Sequence, residues 1–181
     1  MGFDLNEYAL KLNVSRRSPV FCYDILRAEP TLQSRFDLIF LFDVLEHISD
    51  ADVFLKALLF HLARNGKLIL NVPAGQWLYS QYDVANGHVC RYSYRRLWGT
   101  AVRNGFRIRA WTYWGLPLVP ALVLRKLLLL GKRDQREAIS SGFGAPSTTI
   151  NRLLGLTARF EMIPQKLLGT SLMAVLERSE A

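Results

Sequence analysis

Apolar residues gather in short runs separated by stretches of helical spacing, an order that predicts strands alternating with helices. Leu5, Tyr8, Ala9 and Leu12 recur at steps of three and four, which places a helix there that ends near Ser18-Pro19. Val20 to Tyr23 is a short β-rich run closed by Asp24, and a polar stretch covers Ala28 to Arg35. The continuous apolar character of Asp37 to Phe42 predicts a parallel strand buried on both faces. Ser49-Asp50-Ala51-Asp52 offers N-cap chemistry to a helix over Val53 to Arg64, and Asn65-Gly66 reads as its stop. Lys67 to Val72 predicts a third buried strand, stopped by Pro73.

After a long loop from Trp77 to Arg91, a helix is expected from Ser93 to Arg103 and a strand from Phe106 to Trp114. The stretch 116–130 is apolar nearly all round. A Gly/Ser/Pro-rich loop over 131–147, a helix from Thr148 to Met162 and a last strand from Ser171 to Glu177 complete the order. Such alternation argues for one α/β domain over residues 1–181, a Rossmann-like open sheet, mostly parallel, with an antiparallel edge strand. Residues 115–170 form a helical, lid-like insertion between its last two strands.

Composition narrows the function only a little. A net charge of +8 favours anionic partners, but it is spread: 14 Lys and Arg face 10 acids in residues 1–110, and 9 face 5 in 111–181. Without a basic block or a recognition motif, nucleic acid is set aside as a partner. Two cysteines outside any metal-ligand spacing and an N-terminus without signal-peptide layout point to a reduced, cytoplasmic chain. The run from Gly115 to Gly131 is shorter than the about 20 residues a span needs and is interrupted by Arg125-Lys126.

Ligands of open parallel sheets bind outside the carboxyl ends of the strands, and three successive predicted strands end in acids, Asp4, Asp24 and Asp43. Each acid alone reads as a helix N-cap. Three together suit the hydroxyls and amino group of a nucleoside-bearing cofactor.

The chain resembles the class I methyltransferases, and within them the ubiquinone-biosynthesis branch, through Phe36-Asp37-Leu38-Ile39, Asp43-Val44-Leu45-Glu46-His47 and the stretch from Leu62 to Val72-Pro73-Ala74. Asp83, Gly87-His88 and Arg91-Tyr92 resemble a D-x-x-x-G-H-x-R-R-Y block, with Cys90 where an Arg is commoner. The resemblance implies S-adenosyl-L-methionine as cofactor, with Asp4 on the ribose, Asp24 and Ile25 on the adenine, and Phe42 and Asp43 facing the methionine part. It implies a small-molecule or lipid acceptor, with His47 and His88 as candidate catalytic residues.

Some relatives use an acid-x-x-Glu-His cluster to bind Mg2+, so Asp43, Glu46 and His47 are candidate ligands by resemblance. Magnesium prefers oxygen ligands, however, and the alternative is that Glu46 and His47 shape the acceptor pocket or that His47 is a general base. His88 either takes a proton from a hydroxyl acceptor or, with Arg91, holds its loop through Asp83. His61 reads as a half-exposed structural residue. The stretch 116–130 reads as a packed lid or as a peripheral membrane contact that delivers an apolar acceptor.

The Gly-rich D-x-G-x-G-x-G loop of the family does not occur in the sequence. The expectation is therefore an N-terminally truncated chain or fragment, with β edges left open and weak cofactor binding. A competing expectation is a non-catalytic remnant that binds membranes or a partner.

Overall fold

The computed structural model describes residues 1–5, 7–11, 19–128 and 164–179. Among the described residues six strands and five helices follow in the order β1 (Gly2–Asp4), α1 (Glu7–Lys11), β2 (Val20–Cys22), β3 (Phe36–Phe42), α2 (Ala51–His61), β4 (Leu62–Pro73), α3 (Gln81–Ala85), α4 (Tyr94–Arg103), β5 (Phe106–Trp114), α5 (Val119–Leu128) and β6 (Ser171–Arg178). The expected loop 131–147, the helix 148–162 and the stop near Ser18 lie outside the described residues.

β3 and β4 pair in parallel, and β6 lies antiparallel between β4 and β5, giving the order β3-β4-β6-β5. The fold is thus α/β, with antiparallel pairing on both sides of β6, to β4 and to β5. Side-chain alternation puts Leu41 of β3, Leu68, Leu70 and Val72 of β4 and Leu172, Ala174 and Leu176 of β6 on one face. Leu55 and Leu58 of α2 and Leu97 and Ala101 of α4 join them in the core. Asp50 caps α2 as its position suggests, its side chain accepting from the Val53 N–H at 3.0 Å.

Three local readings change. α2 ends at His61, not Arg64, because Leu62 already pairs with Phe36 while Leu38 pairs with Lys67, so Ala63 to Gly66 bulge out of register. Asn65-Gly66 is therefore no helix cap. A Cβ on Gly66 would stand 2.9 Å from the Phe36 carbonyl oxygen and 2.8 Å from the Leu62 side chain, so the close approach needs glycine. His61 is 2% exposed, its Nε2 2.7 Å from the Tyr23 hydroxyl and its Nδ1 2.6 Å from the Ala57 carbonyl.

β3 is buried on one face only. Leu38, Phe40 and Phe42 on the other are 45%, 59% and 49% exposed, and among the described residues β3 pairs with β4 alone. β1 and β2 form a separate parallel pair. That pair rests on the rest of the fold through Phe3 against Phe36, ring centroids 5.7 Å apart, and Tyr23 against His61.

Candidate active site

The carboxyl end of β3 turns sharply at Asp43, which adopts a left-handed φ of 52°. Its N–H donates to the Asn71 carbonyl at 3.0 Å, and the Asn71 amide donates to its Oδ1 at 2.9 Å. Asn71 in turn accepts from the Trp114 indole N–H at 2.8 Å, so three strands together fix the Asp43 carboxylate. Two residues later a single 3-10 turn, Leu45–His47, swings Glu46 inward and His47 outward.

Glu46 is 1% exposed, and its Oε2 is buried without a hydrogen-bond partner among the described residues. Burial pushes its carboxyl above the ordinary 4.5, and Asp43 adds to the push, while its own N–H, His47 and Arg91 oppose it. The Glu46 carbonyl accepts from the Val89 N–H at 2.7 Å, which ties this turn to the loop bearing His88. His47 and His88 then meet edge to face, ring centroids 4.8 Å apart.

That loop is built on Asp83, fully buried at the first turn of α3. Ser80 and Asp83 form a capping box, with the Ser80 N–H donating to Asp83 Oδ2 at 2.9 Å. Asp83 Oδ1 accepts from Arg91 Nε at 2.8 Å and faces His88 Nδ1 at 3.0 Å. Arg91 also donates to the Ala74 carbonyl at 3.3 Å, and the Tyr79 hydroxyl donates to the His88 carbonyl at 2.7 Å. Burial pulls the His88 pKa below 6.5, partly offset by its bond to Asp83, so its imidazole is neutral at pH 7.

α5 is fastened over this loop. Arg125 lies 3.7 Å from the centroid of the Tyr82 ring, and Lys126 donates to the Trp77 carbonyl. Leu124 and Leu127 on the same helix stay exposed.

The fold thus brings Asp43, Glu46, His47 and His88 to one end of β3. Asp4 and Asp24 stand elsewhere: their sheet contacts Phe36 and His61, at the other end of β3, roughly 23 Å along the strand at about 3.3 Å per residue. Asp24 is occupied as a cap, accepting from the Leu26 N–H at 3.0 Å, and Ile25 packs against the core. To a cofactor rich in hydroxyl and ammonium donors Asp43 offers Oδ2, which has no partner among the described residues, and Phe42 beside it is half exposed. Asn71 and Trp114 were not anticipated, whereas Asp83 bonded to both His88 and Arg91 is one of the two alternatives that the sequence left open for this loop.

Residues 2–110 match a methyltransferase-domain family, and the chain belongs to it. Its fold is that of the class I S-adenosylmethionine-dependent methyltransferases. A SAM-dependent methyltransferase from Archaeoglobus fulgidus is 16% identical with a TM-score of 0.54, the match covering 98% of this chain and 75% of the other. An S-adenosylmethionine-dependent methyltransferase from Mesorhizobium loti is 14% identical with a TM-score of 0.58, covering 98% and 79%. A comparison with curated proteins finds none that matches. No helix among the described residues is long and apolar enough to cross a membrane.

Proposed function

We propose that this domain transfers a methyl group from S-adenosylmethionine to an apolar small-molecule or lipid acceptor, with Phe42 and Asp43 on the cofactor side. Glu46, His47 and His88 form the acceptor side. The observation that carries this reading is their convergence at the carboxyl end of β3, the position where open α/β sheets bind ligands. The cofactor supplies a methyl already activated on a sulfonium, so the protein's work is alignment.

Asp43, held by Asn71, offers Oδ2 to a donor of the cofactor. His88, fixed through Nδ1 and neutral, presents Nε2 to a hydroxyl of the acceptor and can take its proton. Asp4, Asp24 and Ile25 meet the ribose and adenine only if the β1–β2 pair moves toward the carboxyl end of β3, which makes cofactor binding weak. The exposed Leu124 and Leu127 of α5, beside a loop that carries His88, favour an acceptor delivered from a lipid surface.

Isothermal titration with S-adenosylhomocysteine tests this. Saturable binding weaker than micromolar, lost in Asp43→Ala, is expected. Binding that Asp43→Ala leaves unchanged, or no binding at millimolar ligand, overturns the assignment. Micromolar or tighter binding refutes the required movement of β1 and β2.

A further inference from the structure

We propose that Glu46, His47 and His88 form a site for a borderline divalent transition-metal ion such as Zn2+ or Co2+, and that Asp43 is not among its ligands. One ligand atom from each of the three lies within 4.8 Å of the others. Bonds of about 2.1 Å in tetrahedral geometry need ligand atoms roughly 3.4 Å apart, so binding draws the set inward by about an ångström. His47 is exposed and can supply that movement by rotation about its side-chain bonds.

Both rings are already arranged as metal-binding histidines are. Gly87 presents only a carbonyl oxygen to His47 Nδ1 at 3.2 Å, and Asp83 a carboxylate to His88 Nδ1 at 3.0 Å. Each Nδ1 therefore carries the proton and donates it, which leaves each Nε2 with its lone pair, without a hydrogen-bond partner among the described residues. The carboxylate–histidine pair of Asp83 and His88 is the arrangement that orients a ligand ring and raises its basicity. Asp83 is itself immobilised by Arg91 and Ser80.

Glu46 supplies an independent sign. A buried carboxylate oxygen without a partner is costly, and a cation beside it removes the cost. Asp43, by contrast, spends Oδ1 on the Asn71 amide and lies outside the cluster. The resulting set of two nitrogens and one oxygen suits zinc, cobalt or ferrous iron, whereas magnesium asks for oxygen. The oxygen-rich set of Asp43, Glu46 and His47 implied by the sequence resemblance is thus replaced by a nitrogen-rich one. Three protein ligands leave a coordination position open to water or to an oxygen of the acceptor, and with the ion bound it, rather than the occupied His88 Nε2, would activate the acceptor hydroxyl.

The test contains neither cofactor nor acceptor, so its outcome is separate from that of the methyl-transfer reading. The full chain is stripped with chelator and dialysed against Zn2+, Co2+ or Mg2+, and retained metal is measured by mass spectrometry. Retention of one equivalent of Zn2+ or Co2+ but no Mg2+ is expected. Cobalt should give d–d absorption without a thiolate charge-transfer band, which excludes Cys22 and Cys90 as the ligands. His47→Ala and His88→Ala should each weaken Zn2+ binding at least about 100-fold, and Asp43→Asn should leave it unchanged. Circular dichroism checks that each variant is folded, and His47, being exposed, is the substitution least able to disturb the core. No retained metal, wild-type affinity in folded His47→Ala, or Mg2+ binding lost in Asp43→Asn would each overturn the site.

Discussion

Replacing Asp83 with Asn tests the hub beneath the candidate site. The carboxylate is fully buried, and Arg91, its strongest partner at 2.8 Å, is 4% exposed. Oδ1 serves Arg91 and His88 while Oδ2 takes the Ser80 N–H and, at 3.3 Å, its hydroxyl. Asn keeps the shape but removes the charge and turns one acceptor into a donor facing other donors. A buried charge left without its partner costs about 3–5 kcal/mol, a large share of the roughly 5–15 kcal/mol that holds a domain together. At about 2–4 °C per kcal/mol for this size, the midpoint of thermal unfolding should fall by roughly 6–20 °C. Guanidinium denaturation in the presence of chelator gives the free energy directly. Asp83→Asn combined with Arg91→Met, which removes both charges, should be more stable than Asp83→Asn alone. A loss below about 1 kcal/mol for the single variant, or no recovery in the double, would refute the hub.

Three further outcomes follow from the structure. Gly115 has φ +77°, and a Cβ there would stand 2.0 Å from Thr170 Oγ1, so Gly115→Ala should cost about 1–3 kcal/mol in urea denaturation. Gly99→Ala, within α4 and with no atom nearer than 3.5 Å, should instead stabilise by about 0.5–1 kcal/mol. Tyr92 is 1% exposed, and burial, with Cys90 adding, raises its phenol well above the ordinary 10.0. The unfolded phenol ionises where the folded one does not, so stability is full below pH 10 and falls as pH rises past it. Thermal melts between about pH 8 and pH 11 should show this slope, and Tyr92→Phe should flatten it.

Elements governed by local chemistry were legible in the chain itself. Asp50 caps α2 where its side chain can reach a free N–H three residues on, and the alternation of Leu172, Ala174 and Leu176 marks the inner face of β6. Asp43 stood out as an acid at a strand end, and Glu46, His47 and His88 through motifs that resemble those of the family. What could not be read depends on distant pairing. The Asn65-Gly66 step looks like a helix stop until Leu62 is seen paired with Phe36, which starts the strand before it. Asn71 and Trp114 act on Asp43 only because β4 and β6 bring three strand ends into one register. The separation of Asp4 and Asp24 from Asp43 is likewise invisible in spacing, since it follows from where the β1–β2 pair docks. Their shared position at strand ends suggested one crevice, whereas Phe3 and Tyr23 find their partners at Phe36 and His61.

β6 comes last of the six strands in chain order yet lies between β4 and β5. During synthesis, the β4 edge must therefore wait unsatisfied while the 97 residues from 74 to 170 are made, and the β5 edge while the 56 residues from 115 to 170 are made. Arg178 then ties that late strand to the end of α2, donating to the Leu59 carbonyl and, at 2.8 Å, to the Leu62 carbonyl. Closure of the sheet is consequently a late, non-local event with a high loop-closure cost. Nascent chains stalled before β6 should remain protease-sensitive throughout β4 and β5, and release of β6 should protect both at once.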